Sequence, residues 1–197
     1  MHKSKLMQPE NSSWQIIPLQ QPLYRAVVAL ANEVHGEGYI NEHMLASMVK
    51  QGIVNGKNAS FVALADQAVV GYRLSFAAGQ WQPDNWCSLS KWPVPASSMA
   101  YFKSVAVKPA YQAKGIGQAL LQHSIMMLKQ QGAKAGLAHL WCESPNNSAV
   151  RYFNKAGGQL LNIHQNRWQH LSAEGYDCPR CRALCYCSAA EMVLLFA

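Results

Sequence analysis

Acidic residues are what this chain has least of: 10 Asp and Glu stand against 17 Lys and Arg in 197 residues, a formal net charge of +7. Between Asp84 and Glu143 there is no acid and no arginine, yet Lys91, Lys103, Lys108, Lys114, Lys129 and Lys134 all lie in that stretch. A basic block of this kind predicts an anionic partner, which could be nucleic acid, a membrane surface or a phosphorylated cofactor. Long hydrophobic runs are also missing. Ala26–Ala31 and Met192–Ala197, among the longest, reach about a third of a membrane span, so no transmembrane helix is expected. No apolar segment follows the lysines of Met1–Glu10, so a secretory leader is not expected and the cytoplasm is the default location. Internal repeats and low-complexity tracts are absent. What is present, 50% hydrophobic and 10% aromatic residues, excludes a disordered chain and suits one domain with a real core.

The patterning alternates between two periods. Trp14–Leu19 reads as a strand, and Leu23, Val27, Leu30 and Val34 form a helical stripe that stops at His35-Gly36. Asn41–Val49 reads as a second helix capped by Asn41. Ser60–Ala65 and Ala68–Phe76 read as a hairpin turning at Asp66-Gln67. Trp81–Pro95, with three tryptophans and three prolines, is expected to be a loop that covers a pocket or a partner surface. A fourth strand, Met99–Val107, leads into a helix from Ile116 to Gln131. A fifth strand, Ala135–Cys142, leads into a helix from Ser144 to Ala156. Gln159–Trp168 and Ala189–Phe196 complete the strands. The chain is therefore expected to be a single α/β domain over residues 1–197, with a flexible tail at 1–12 and a cysteine-rich insertion at 169–188.

The most specific local signal runs from Val105 to Leu121, where a strand enters the turn Gln112-Ala113-Lys114-Gly115-Ile116-Gly117 and the turn opens a helix. First-turn N–H groups have no intrahelical partner and sit at the positive end of the helix dipole, so they bind anions. A dinucleotide-binding fingerprint would need glycine where Leu120 stands, and the Gly-Lys-Ser/Thr of a P-loop is missing. Gln112, Gly115 and Gly117 do fit Gln/Arg-x-x-Gly-x-Gly/Ala after a V-x-P-like strand end. Asn146, Ala149, Tyr152-Phe153 and Gly157 follow at the spacing of a second motif. Together these resemble the signature of the GNAT superfamily of acyl-CoA-dependent N-acyltransferases.

The resemblance implies a GNAT-like mixed, mostly antiparallel sheet of six or seven strands flanked by about four helices, with a V-shaped splay between the fourth and fifth strands. It implies acetyl-CoA as cosubstrate. Val105, Ala106 and Val107 would pair with the pantetheine arm. Gln112, Ala113, Lys114, Gly115, Ile116, Gly117 and Gln118 would cradle the pyrophosphate, and Asn146 and Phe153 would flank the arm from the other side. The reaction it implies is direct attack of a primary amine, free or on a peptide or protein, in a ternary complex. The alternative is an acyl-CoA-binding or regulatory protein with the same fold and little catalysis. The basic block then answers to the phosphates of one CoA, and neither nucleic acid nor membrane is needed.

Two departures touch the chemistry. Position 153 is Phe, where many relatives carry a tyrosine that protonates the CoA thiolate, and the fourth strand has no glutamate to serve as base. Glu143 and Tyr152 are the remaining candidates for base and acid. Glu33, His35, Glu37, Glu42 and His43 cluster between the first two helices, where relatives bind acceptors. Glu33, His35, Glu37 and Trp81 are thus candidate acceptor contacts, and the acids suggest a cationic acceptor. Finally, Cys178, Cys181, Cys185 and Cys187 crowd into ten residues. They could close a structural zinc site, remain free thiols, or serve an iron–sulfur or redox role.

Overall fold

A computed structural model describes residues 13–196, so the expected tail at 1–12 lies outside the described residues. β1 (Trp14–Pro18), α1 (Tyr24–His35) and α2 (Glu42–Gln51) open the chain. The strands β4 (Phe61–Ala65), β5 (Ala68–Phe76) and β6 (Met99–Val107) follow a two-residue hairpin, β2 (Ile53–Val54) and β3 (Lys57–Asn58). Then come α3 (Ile116–Gln130), β7 (Ala135–Trp141), α4 (Ser148–Lys155), β8 (Gln159–His164), α5 (Gln169–Ala173) and β9 (Ala189–Leu195). Among the described residues, no helix is long and apolar enough to cross a membrane.

The seven-stranded sheet runs β1-β4-β5-β6-β7-β9-β8, and the β6–β7 pair alone is parallel. It is the mixed, mostly antiparallel sheet expected. β4 and β5 are buried at every position but Ala68, because helices cover both faces, and this is why they read as continuous apolar runs. On one face, Val27 and Leu30 of α1 and Leu45 and Val49 of α2 pack on Tyr72, Leu74 and Ala106. On the other, Ile116 and Leu120 of α3 meet Phe61, Ala63 and Val70, while Leu121, Leu128 and Phe153 meet Phe102 and Met192. The Asn41 side chain accepts from the Met44 amide at 2.9 Å, which fixes the start of α2 as its cap position predicts.

Local structure departs from the sequence reading at three places. The last helix before β8 begins at Ser148, since Asn146 and Asn147 both take left-handed backbone (φ 55° and 53°). β8 ends at His164 instead of Trp168. Asn166 is left-handed and the Arg167 amide bonds Cys187 O at 3.1 Å, which turns the chain into the insertion. The β2–β3 hairpin, turned by left-handed Asn55-Gly56, falls in a stretch to which the sequence reading assigns no element, although Asn-Gly is a strong hairpin signal.

At the base of the β6–β7 contact, Gly136 faces Phe102, whose ring is wedged against Phe153 and Phe196. A Cβ at Gly136 would collide with that ring. Gly136→Ala is expected to lower stability by about 1–3 kcal/mol through overpacking, read as a lower urea midpoint at unchanged slope.

Candidate active site

β6 pairs with β5 from Tyr101 to Val107, but with β7 only over Met99–Tyr101. Beyond that point β7 pairs with β9 alone, to Trp141. Val105, Ala106 and Val107 therefore present a strand edge from which the neighbour has parted, and such an edge can take an extra strand-like ligand. The register of β6 against β5 shifts between Ser104 and Phe102, leaving Lys103 as the extra residue of a bulge.

The free edge leads to a turn whose geometry suits an anion. Gln112 Nε2 donates to Val107 O at 3.0 Å and folds the turn back on the strand end. Ala113 and Gly115 are left-handed (φ 59° and 82°). The first intrahelical bond of α3 is Ala119 N to Gly115 O, and among the described residues the amides from Ala113 to Gln118 have no acceptor. Lys114 lies over the Tyr111 ring at the same turn.

Across the splay, Phe153 is fully buried and meets Phe102 edge-on at 5.8 Å. Tyr152 points to α3 instead, donating from Oη to Gly117 O at 3.0 Å. That hydroxyl accepts from Arg73 Nη2 at 2.9 Å. Arg73 is 1% exposed, stands over the Phe102 ring at 4.9 Å, and has no carboxylate partner among the described residues; its Nε bonds nothing. A guanidinium so deeply buried without a counter-ion is costly. Burial raises the Tyr152 phenol pKa, with Arg73 opposing the rise.

The opposite face of the splay holds a second polar group. Tyr101 Oη and His139 Nδ1 are 3.0 Å apart, and His139 Nε2 is 2.7 Å from Trp86 O. A carbonyl only accepts, so His139 carries its proton on Nε2 and accepts from Tyr101 on Nδ1. Burial lowers the His139 pKa and raises that of Tyr101. Behind this pair His164 bonds the fully buried Glu191 at 2.9 Å. A cavity of about 170 Å³ is lined by Tyr101, His139, Lys103, Asp84, Arg167 and Phe76, among others. Trp81 stacks on Tyr101 with centroids 4.7 Å apart, so the tryptophan-rich loop does form a wall of this cavity.

The sequence matches the acetyltransferase (GNAT) family over residues 24–158. The chain belongs to this family. Among solved structures, an N-acetyltransferase from Staphylococcus aureus Mu50 superposes with a TM-score of 0.68 at 16% identity, over 94% of this chain and 100% of that one. A putative acetyltransferase from Salmonella typhimurium with its cofactor acetyl-CoA gives 0.67 at 15%, over 95% of each chain. Arabidopsis thaliana Naa50 in complex with a bisubstrate analogue gives 0.62 at 18%, over 93% of this chain and 99% of that one. At such identities the likeness is one of fold. No curated protein matches in sequence.

Within this GNAT fold the other candidate residues are dispersed. Glu33, Glu37, Glu42 and His43 are exposed, and only His35 turns inward. Its Nε2 is 3.5 Å from Ser104 Oγ, and it bonds the Val105 backbone. Glu143 accepts from the Ser188 amide with both oxygens, at 3.2 and 3.0 Å, and so fixes the start of β9. Arg73, Tyr101, His139 and Glu191 were not singled out from sequence. Their signal was a lone polar or charged residue inside an apolar strand, as in AVVGYRLSF or AAEMVLL.

The four knuckle cysteines converge, with their sulfurs all within 4.8 Å of one another. Cys187 Sγ lies 3.8 Å from Cys178 Sγ and 3.7 Å from Cys181 Sγ. Those distances are far longer than a disulfide, about 2.05 Å. They match the edge of a tetrahedron with Zn–S of about 2.3 Å, roughly 3.8 Å.

His35 generates a pH prediction. Burial, helped by Lys103, lowers its pKa from 6.5 to about 4 despite the Val105 backbone bond. The neutral ring is the form that fits, so its contribution is complete above about pH 6.5 and is lost as pH falls toward 4. Urea unfolding should show the wild type losing about 3 kcal/mol more than His35→Gln between pH 7 and pH 4.

Proposed function

We propose that the chain is an acetyl-CoA-dependent N-acetyltransferase that passes the acetyl group directly to a primary amine in a ternary complex. One observation carries this reading: β6 and β7 part after three residue pairs, and the freed edge of β6 runs into the uncapped amides of the α3 turn. Val105, Ala106 and Val107 take the pantetheine arm along that edge. Amides across Gln112, Ala113, Lys114, Gly115, Ile116, Gly117 and Gln118 take the pyrophosphate, with Lys108 and Lys114 as charge partners. Asn146 and Phe153 bound the arm on the α4 side. Bound acetyl-CoA supplies the activated acyl group.

The chain's own groups divide the remaining work between the two faces. An ammonium cannot attack, so the acceptor must lose a proton from a group with pKa near 10. Tyr101 accepts that proton, directly or through water, as its own passes to His139 Nδ1, 3.0 Å away. The resulting imidazolium keeps its bond to Trp86 O. On the other face Arg73, buried without a counter-ion, offsets the negative charge of the departing thiolate, a task Phe153 cannot perform. Tyr152 positions Arg73 instead of acting as the acid, and Glu143 holds the start of β9 instead of acting as the base. The second reading, an acyl-CoA-binding protein with little catalysis, draws on Phe153 and on the lack of a carboxylate in β6.

The four cysteines hold one structural zinc. In support, the sulfurs are spaced for a tetrahedron, and the closed four-thiolate set suits a structural ion. The knuckle also joins the acceptor side: Tyr176 Oη donates to His35 O at 2.8 Å, and the Asp177 amide donates to Glu37 O at 3.2 Å. The reaction is placed in the cytoplasm, where thiols remain reduced.

Incubation with acetyl-CoA and a broad amine panel should release free CoA. Tyr101→Phe and His139→Gln should each lower kcat tenfold or more with the acetyl-CoA KM nearly unchanged. Tight CoA binding with no release across the panel would establish the second reading instead. Protein purified without chelator should contain about one equivalent of zinc by elemental analysis, and less than half an equivalent would refute the metal site. Removing the metal should raise the acceptor KM more than the acetyl-CoA KM.

A further inference from the structure

The acceptor cavity has one positive charge without an answer. Asp84 is taken by Arg167 at 2.9 Å. Glu191 is spent on the Ser88 amide, the Trp92 indole and His164. The Cys87 thiol, which also lines the cavity, is pushed up to about 12 by burial and stays neutral. His35 and His139 are both held toward their neutral forms. Lys103, the bulge residue of β6, lines the same cavity and makes no hydrogen bond or ion pair among the described residues. Burial pulls its pKa down, the nearby Arg167 guanidinium adds to the effect, and Asp84 opposes it without forming an ion pair with the ammonium. The glutamates of the α1–α2 region, which suggested a cationic acceptor, are exposed.

We infer that the acceptor is a small amine carrying an anionic group, a carboxylate or a phosphate, which pairs with Lys103 beside Arg167. This rests on the acetyltransferase reading. A partly buried ammonium is a poor arrangement alone and a good one when an anion completes it with a charge-assisted bond. The volume, about 170 Å³, falls below the roughly 300 Å³ at which drug-sized ligands begin, so a short molecule fits.

The test compares a series of ω-amino acids, the matching carboxamides and the matching aminoalkyl phosphates by CoA release, in wild type, Lys103→Met and Lys103→Arg. The wild type should prefer one anionic series to the carboxamides by tenfold or more in kcat/KM, and the better series identifies the anion. Lys103→Met should bring that ratio close to one, whereas Lys103→Arg should keep most of it. Equal wild-type rates on acids and amides would overturn the inference while leaving the enzyme reading intact, as would a ratio that survives Lys103→Met. An equal loss of kcat on every acceptor in both variants, with the ratio unchanged, would make Lys103 a proton acceptor and likewise overturn it. No release from any acceptor would overturn the enzyme reading, and this inference with it.

Discussion

The short parallel contact between β6 and β7 is the constraint on which the rest of the structure depends. Three residue pairs hold the two halves of the sheet together, and then the strands serve different partners, β5 for one and β9 for the other. The parting leaves the far half of β6 without a strand partner on that side among the described residues, which a fold tolerates only where water, a side chain or a ligand can reach the backbone. Phe102, Phe153 and Gly136 close the apolar base of this wedge, and the steric limit at Gly136 shows how tightly it is filled.

The splay also explains why charged residues sit inside the sheet. Arg73 on β5 leans over Phe102 toward α4, and Tyr101, Lys103 and His139 face the other side. In an unbroken sheet each of these groups would have to be buried against apolar neighbours. Beside an open wedge they meet a cavity and each other. Two polar clusters then lie on opposite faces of the sheet, and on the proposed reading one would serve the donor's leaving group and the other the acceptor's proton.

The insertion between β8 and β9 follows a similar logic. It is too short to build a core of its own, and its three buried cysteines pack with Trp141 and Trp168. Gly36 has positive φ, and any Cβ there would run into the Asp177 carbonyl, so the α1–α2 turn and the knuckle approach as closely as backbone permits. The Arg167 amide is held by Cys187 O, which couples the knuckle to the cavity wall. The α1–α2 turn and the insertion, far apart in sequence, thus build one face together.

Much of the fold was legible along the chain, because periodicity, caps and glycines act locally. Asn41 caps α2, β6 begins and ends where its apolar run does, and Gln112, Gly115 and Gly117 build the turn their spacing suggested. The family too was readable from two motifs, since backbone approach to a phosphate demands glycine wherever it occurs. The polar interior was not. Whether Glu143 or His139 meets the cavity, and which of the two adjacent aromatics at 152 and 153 keeps its hydroxyl in play, depend on where strands part and how helices rotate upon them. These are long-range packing outcomes, and a residue's neighbours in sequence carry little information about them. The sequence by itself determined the elements, the glycine turn that opens α3 and the excess of positive charge. Only the tertiary structure decided that Arg73 lies buried with no carboxylate partner among the described residues, that the knuckle sulfurs converge, and that Lys103 lines one cavity with Tyr101, His139 and Arg167.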